Sequence, residues 1–264
     1  MNKPNLPIEI TEKTLFVVNH SGGKDSQAMY LYLRNLCNEG FIKDEQMVVI
    51  HADLPGVDWE DIEIHLKNTV SHPYHIVRAG KTFFEMVEHR GMFPSPSQRQ
   101  CTSDLKVAPI AKKIRQICKE GGFDVVVNCT GIRAEESPAR AKKESWKVNN
   151  TQTNGKRTWY EWLPIHEWLI DEVFDYIREN GQEPFWTYAA GMSRMSCVFC
   201  IMSSKSDIIL AAKLRPELFK KISSLERKIN YSMLMPVKGK PVFLDEIVCG
   251  ASVDLSNVEF TCSC

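Results

Sequence analysis

Apolar runs of strand length alternate with stretches of helical period through the first half of the chain. Thr14–His20 reads as a buried strand, and Asp25–Cys37 as a helix presenting Met29, Leu33, Leu36 and Cys37 on one face. Met47–Asp53 is a second strand, followed by an acidic helix from about Trp59 to Val70. His75–Ala79 is a short third strand, and Phe83–His89 and Leu105–Lys119 read as helices. Asp124–Ile132 is a fourth strand, a continuous apolar run of the kind covered on both faces. Strands joined by helices predict an α/β fold with a doubly wound, mostly parallel sheet. Right-handed crossovers then gather the strand C-terminal ends along one edge, where ligands sit.

The pattern changes after Ile132. Residues 133–157 carry seven basic residues (Arg133, Arg140, Lys142, Lys143, Lys147, Lys156, Arg157) against Glu135, Glu136 and Glu144, with a turn-rich stretch at Asn149–Gly155. This predicts a mobile loop over the sheet edge, or a solvated excursion in its distal half. An aromatic segment from Trp159 leads into a helix near Asp171–Asn180. A long helical stretch covers Ser206–Ser232, which Pro216 must start or kink. Phe243–Cys264 is poorly patterned. The division expected is an α/β domain over 1–180 and a helical, cysteine-bearing extension over 181–264.

Composition narrows the setting. The chain has 264 residues, 33 Lys+Arg against 33 Asp+Glu, and nine cysteines. Neutrality removes the simplest argument for a nucleic-acid partner, although a local basic patch survives it. Met1–Pro7 lacks a secretory pattern, and no run has the length of a membrane span. A cytoplasmic, reducing setting is the expectation, and there clustered cysteines more often bind metal or do redox chemistry than form structural disulfides.

The sharpest local signal is His20-Ser21-Gly22-Gly23-Lys24-Asp25-Ser26, between the first strand and the first helix. Adjacent glycines permit positive φ and close approach, so successive N–H groups can line one concavity. The concavity opens on a helix N-terminus, which favours an anion. Lys24 adds a charge, and Ser21 and Ser26 add hydroxyls. The spacing is not that of a Walker A loop. Cys197 and Cys200, two residues apart in a short loop, could bind one metal or cluster or form a redox dithiol. Cys37, Cys118 and Cys129 read as small core residues.

Ser21–Ser26 resembles the PP-loop of the N-type ATP pyrophosphatases, which cleave ATP between the α and β phosphates. Thr130–Ser137 with Arg140 resembles the second phosphate motif of the phosphoadenosine-phosphosulfate (PAPS) reductase family, and Arg99–Pro109 resembles its middle motif. Leu163–Trp168 and Asp171–Ile177 are similar to a later segment of that family. The resemblance covers residues 14–205 in order, and implies an adenine nucleotide alpha-hydrolase-like, Rossmann-type fold.

It also implies roles. The nucleotide site would comprise Ser21, Gly22, Gly23, Lys24, Asp25, Ser26, His51, Asp53, Gly131, Arg133, Glu136 and Arg140. Asp53 would serve equally as a cap for the Pro55-Gly56 turn, and Glu136 would orient an arginine or bind Mg²⁺ on the pyrophosphate. Arg133 and Arg140 suit bidentate contacts to phosphate or sulfate. Cys101, Cys197 and Cys200 match three ligands of the [4Fe–4S] cluster found in some relatives, with Cys249, Cys262 or Cys264 as a fourth; zinc or free thiols are the alternatives.

Two chemistries follow. Lys24, Asp25 and Arg133 would catalyse cleavage of ATP to AMP and pyrophosphate, adenylating an acceptor in sulfur transfer, as in relatives of the DNA-phosphorothioation type. Alternatively, a tail thiol, Cys249 or Cys264, would attack PAPS or its unphosphorylated analogue APS, and a thioredoxin-like partner would release sulfite. A sulfur-donor protein is the partner for the first, and a homo-oligomer is expected for either. A third alternative is an inactive nucleotide- or nucleic-acid-binding accessory protein, which the basic 133–157 segment motivates.

Overall fold

The computed structural model describes residues 6–251. Contacts divide the chain into two compact units, residues 1–52, 61–77 and 110–186 in the first and 53–60, 78–109 and 187–264 in the second. The second unit gathers two segments from the first half of the chain, which a linear reading does not reveal.

The first unit holds a six-stranded sheet in the order β3-β2-β1-β4-β6-β5. Its strands are β1 Thr14–Asn19, β2 Met47–Ala52, β3 Tyr74–Val77, β4 Val125–Cys129, β5 Trp146–Val148 and β6 Thr158–Trp162. β1, β2, β3, β4 and β6 pair in parallel, and β5 alone runs antiparallel, against β6. Every residue of β2 is buried, as a central strand covered on both faces requires. The helices numbered along the chain are α1 Lys24–Asn38, α2 Ile62–Thr69, α3 Phe83–Arg90, α4 Gln100–Thr102, α5 Ala108–Gly121, α6 Pro138–Ala141, α7 Ile170–Glu179, α8 Lys205–Leu214, α9 Pro216–Ile229 and α10 Leu244–Cys249.

One face of the sheet buries Ala111, Ile114 and Cys118 of α5 against Leu15, Val17, Val48, Ile50, Val126 and Trp159. Those helix positions lie one stripe apart, while Lys112, Lys113 and Arg115 point elsewhere on the helix. α1 packs with α7, where Asn35 Nδ2 donates to Tyr176 Oη at 2.8 Å and Arg34 to Asn180 at 3.0 Å. Strand order reverses between β1 and β4, so the loop after β1 stands at the topological switch point.

Residues 133–157 differ from the mobile loop expected. They form a short 3₁₀ turn at Ala134–Glu136, α6 and β5. Ser137 caps α6 by accepting the Arg140 N–H, with Pro138 following at the first helical position. Trp146 stacks near Tyr160 and Trp162. Aromatic cross-strand packing thus supplies the order that a run of charges hides.

In the second unit Pro216 starts α9 rather than kinking one long helix, and α9 ends on Asn230 in the left-handed region (φ 49°). Ser204 caps α8, whose first turn holds the buried Asp207. No described helix is long and apolar enough to cross a membrane.

Candidate functional site

The phosphate loop links β1 to α1. Gly22 has φ 85°, which only glycine adopts without strain, and its N–H donates to His20 Nδ1 at 3.1 Å. Ser26 Oγ donates to the Gly23 carbonyl at 2.8 Å and accepts the Ser21 N–H at 3.1 Å. The loop is therefore tied to itself before any ligand arrives. Gly23 offers α1 no side-chain cap, and the start of a helix favours an anion.

His20 opens the motif, and the sequence reading gave it no role of its own. It is 2% exposed, and burial, with His65 and His51 nearby, lowers its pKa to about 3. It stays neutral, accepts from Gly22 at Nδ1 and therefore carries its proton on Nε2, which has no hydrogen-bond partner among the described residues. Its place directly before Ser21 was the available signal. His51, also buried, donates from Nδ1 to the His20 carbonyl at 2.8 Å, so this nucleotide-site candidate positions the loop's backbone.

Lys24 and Asp25 belong to a buried charge network. Lys24 Nζ lies 3.0 Å from Asp25 Oδ2, and Arg133 Nε donates to Asp25 Oδ1 at 2.6 Å. Arg133 Nη1 donates to Glu135 and, at 3.1 Å, to the Trp168 carbonyl. The Arg133 side chain is 3% exposed, so its fork is spent on tying the 130–136 segment and the 163–168 segment to α1. Glu135 also accepts the Ile170 N–H at 2.8 Å, at the start of α7. Arg140 pairs with Glu136, which in turn accepts the Arg133 N–H at 3.0 Å. His166 braces the same segment, its carbonyl accepting the Ala134 N–H at 2.7 Å and its Nε2 lying 3.0 Å from the Arg140 carbonyl.

Gly131 explains itself by space. A Cβ there would stand 2.7 Å from the Asp25 carbonyl oxygen and 3.0 Å from the Ser26 nitrogen. Beside it, a cavity of about 680 Å³ is lined by Thr130, Ile132, Lys142, Lys147, Asn149 and Glu161 among others. Asn19, Asn128, Glu161 and Asn149 form a hydrogen-bonded row across β1, β4 and β6 at this edge, with links of 2.7–2.8 Å.

The remaining candidates lie in the second unit. Asp53 pairs with Arg78, and the turn after it is capped by Asp58, which accepts the Leu54 N–H at 2.9 Å. Cys101 sits on α4, followed by a π-helical turn over Ser103–Val107 that places Lys106 Nζ 3.6 Å from Cys197 Sγ. The 196–200 loop is pinned by Trp59 Nε1 donating to the Ser196 carbonyl and Val198 N–H to the Val57 carbonyl. The Met202 N–H donates to Cys200 Sγ at 3.4 Å. Burial raises the Cys197 and Cys101 thiols above the ordinary range, and Lys106 opposes it in both. The three sulfurs do not all fall within 4.8 Å of one another, a spacing wider than a single tetrahedral ion draws its ligands to. Cys249 ends α10, and Cys264 lies outside the described residues.

Residues 15–203 match the phosphoadenosine phosphosulfate reductase domain. A 37.8 kDa protein of Escherichia phage 186, itself uncharacterised, is 31% identical over 150 residues, spanning 57% of this chain and 44% of its own length. The chain thus corresponds to under half of that relative. Among solved structures, Candida glabrata FMN adenylyltransferase superposes with a TM-score of 0.45 at 18% identity, covering 72% of this chain and 54% of that one. PAPS reductase from Candida auris, in a phosphate complex, gives 0.44 at 14% identity, covering 69% and 80%. With a family match across most of the chain, and the phosphate loop, Gly131 and Arg133 joined at the sheet's switch point, the chain belongs to the phosphoadenosine phosphosulfate reductase family.

Proposed function

We propose that the chain binds ATP at the phosphate loop and cleaves it to AMP and pyrophosphate, transferring the adenylyl group to an acceptor in sulfur metabolism. The observation that carries this reading is the complete loop, with Gly22 in the left-handed region, Ser26 anchored and the first turn of α1 uncapped. Family reductases, by resemblance, carry degenerate forms of this loop because their nucleotide has no β,γ-pyrophosphate.

In the reaction an acceptor oxygen attacks the α-phosphorus, the bond from that phosphorus to the α–β bridging oxygen breaks, and pyrophosphate leaves with the electron pair. The N–H groups at the start of α1 and the Lys24 ammonium would hold the leaving charge, and His20 and Arg133 would keep the loop in register. The cavity lined by Thr130, Lys142, Lys147 and Glu161 offers room for the acceptor beside the loop. Both oxygens of Asp25 are held by Arg133 and Lys24, so this carboxylate is not a ready ligand for Mg²⁺, and no step is routed through that ion.

Cys101, Cys197 and Cys200 have the donor type that would hold three irons of a [4Fe–4S] cluster, which would supply electron transfer or sulfur chemistry when bound. The competing reading, sulfonucleotide reduction, requires an attacking tail thiol and a thioredoxin-like dithiol to release sulfite; Cys249 is disulfide-bonded and would first have to be reduced, and Cys264 lies outside the described residues.

The deciding experiment offers ATP and PAPS in parallel and assays pyrophosphate and sulfite. Pyrophosphate release from ATP, abolished in Lys24→Ala and Ser26→Ala with the fold retained, is expected. Sulfite from PAPS with no ATP cleavage would select reduction instead.

A further inference from the structure

A second group of ligating side chains lies at the opposite end of α1 from the phosphate loop. Cys37 is in the last turn of α1, Asp44 opens the 3₁₀ turn that leads into β2, and His72 precedes β3. Their Sγ, carboxylate oxygen and ring nitrogen all lie within 4.8 Å of one another. Cys37 was expected to be a core residue; it is half-buried and faces this group instead.

The surroundings of His72 are built in the way a metal-binding imidazole requires. Its Nε2 stands 3.1 Å from Asp44 Oδ1, and its Nδ1 is 3.0 Å from the Tyr30 hydroxyl. Tyr30 is wholly buried, accepts the Ser71 N–H at 2.8 Å and lies 2.9 Å from Ser71 Oγ. If Tyr30 donates to Ser71 Oγ, its oxygen accepts both the Ser71 N–H and the His72 Nδ1–H, and the proton of the imidazole then lies on Nδ1. In that tautomer His72 Nε2 turns a lone pair towards the Asp44 carboxylate. Two such electron-rich atoms at 3.1 Å repel unless a proton or a cation sits between them. An acceptor that takes the far ring N–H and so fixes the imidazole is the usual companion of a metal-bound histidine.

The geometry points to a divalent-cation site formed by Cys37, Asp44 and His72, suited to zinc or cobalt(II) with water as fourth ligand. Ligands on one tetrahedral zinc stand roughly 3–4 Å apart. The His72–Asp44 edge already has that length, and closing the remaining edges needs shifts of about 1 Å at most. Thiolate and imidazole favour zinc-like ions over magnesium or calcium. Asp44 is 78% exposed in its side chain, which opens the fourth position to solvent, while the His72 side chain is 8% exposed. On binding, the Cys37 thiol would lose its proton to solvent. The ion would join the end of the phosphate-loop helix to the entries of β2 and β3, tying three elements that carry or flank the nucleotide edge.

The test is a cobalt(II) titration of the full chain, read by the near-ultraviolet thiolate-to-cobalt charge-transfer band and the visible d–d bands. Cys101, Cys197 and Cys200 stay intact in every sample, so any metal they bind is common to all. Wild type should take up one equivalent more than Cys37→Ser and His72→Gln, with the difference spectrum showing the thiolate band, and zinc should displace it. Asp44→Asn, an exposed change that should leave the fold unaffected, should weaken this equivalent at least tenfold. Equal stoichiometry and spectra in wild type and all three variants would overturn the site, as would folded wild type that takes up no cobalt. Should Cys37→Ser not fold, the His72→Gln and Asp44→Asn comparisons decide it alone.

Discussion

Alanine at position 131 would place a methyl group against the backbone of the phosphate loop. The Cβ would stand 2.7 Å from the Asp25 carbonyl oxygen and 2.8 Å from its carbon. Ordinary contact begins near 3.4 Å, so the two segments must separate by about 0.7 Å. The opposing atoms are main chain on both sides, and no side chain can swing away to relieve them. Gly131 does not have a positive φ, so the backbone itself tolerates alanine and the whole cost is steric. Overpacking of this kind costs about 1–3 kcal/mol. At roughly 2–4 °C per kcal/mol for a chain of this size, the melting temperature should fall by about 2–12 °C. The retreat also stretches the 2.6 Å bond from Arg133 to Asp25 and moves the start of α1. Since a displacement of about 1 Å can cost on the order of 100-fold in rate, turnover should drop at least tenfold. Gly155→Ala is the control, because nothing lies within 4 Å of a Cβ there and its φ is not positive. Thermal denaturation, pyrophosphate-binding calorimetry and pyrophosphate release from ATP give the three readouts. If Gly131→Ala matched Gly155→Ala in melting temperature and pyrophosphate affinity, the close approach of these segments would be refuted.

Other expectations concern buried charge. Glu226 is wholly buried and accepts the N–H groups of Met233 at 2.6 Å and Leu244 at 2.8 Å; burial raises its pKa from 4.5 to about 7. The folded state then keeps a proton that the unfolded chain has lost. Stability from this group is full below pH 4.5 and falls as pH rises to about 7, by about 3 kcal/mol. Urea denaturation should show that slope in wild type and not in Glu226→Gln; parallel curves would contradict it. Arg133→Met should destabilise by about 3–5 kcal/mol, because it strands Glu135 and half of Asp25's pairing. Arg133→Lys should recover only part of this, since one ammonium cannot span Asp25, Glu135 and the Trp168 carbonyl, and a full recovery in chemical denaturation would show that charge alone suffices. His20→Ala should weaken pyrophosphate binding about tenfold, while His20→Asn, which can still accept the Gly22 N–H, should retain most of it. With its pKa near 3, His20 should contribute no inflection to a pH–rate profile between about pH 5 and 9, and an inflection lost in His20→Asn would count against its neutrality.

The parallel sheet and its phosphate loop were legible because their causes are local. β1, β2 and β4 are unbroken apolar runs, the glycine pair sits where a strand gives way to a helix, and the stripe on α5 has helical period. β5 was not legible. It lies in a segment dominated by charge, and its order comes from Trp146 meeting Tyr160 and Trp162 across strands.

The sequence by itself determined the phosphate loop, since Ser21–Ser26 lies where a strand gives way to a helix, and the family resemblance added Gly131 and Arg133 to the same edge. Tertiary structure decided what those residues do there. A free-standing reading gives Arg133 to a phosphate, whereas folding buries its guanidinium against Asp25, Glu135 and a carbonyl, because a buried charge must first be neutralised by its neighbours. Only the fold could bring Cys37, Asp44 and His72 together, since their meeting depends on where three chain crossings end and leaves no mark in residue spacing. The same holds for the thiols. Cys197 and Cys200 announce themselves by spacing, but Lys106 reaches Cys197 only because a π-helical turn over Ser103–Val107 rotates it there.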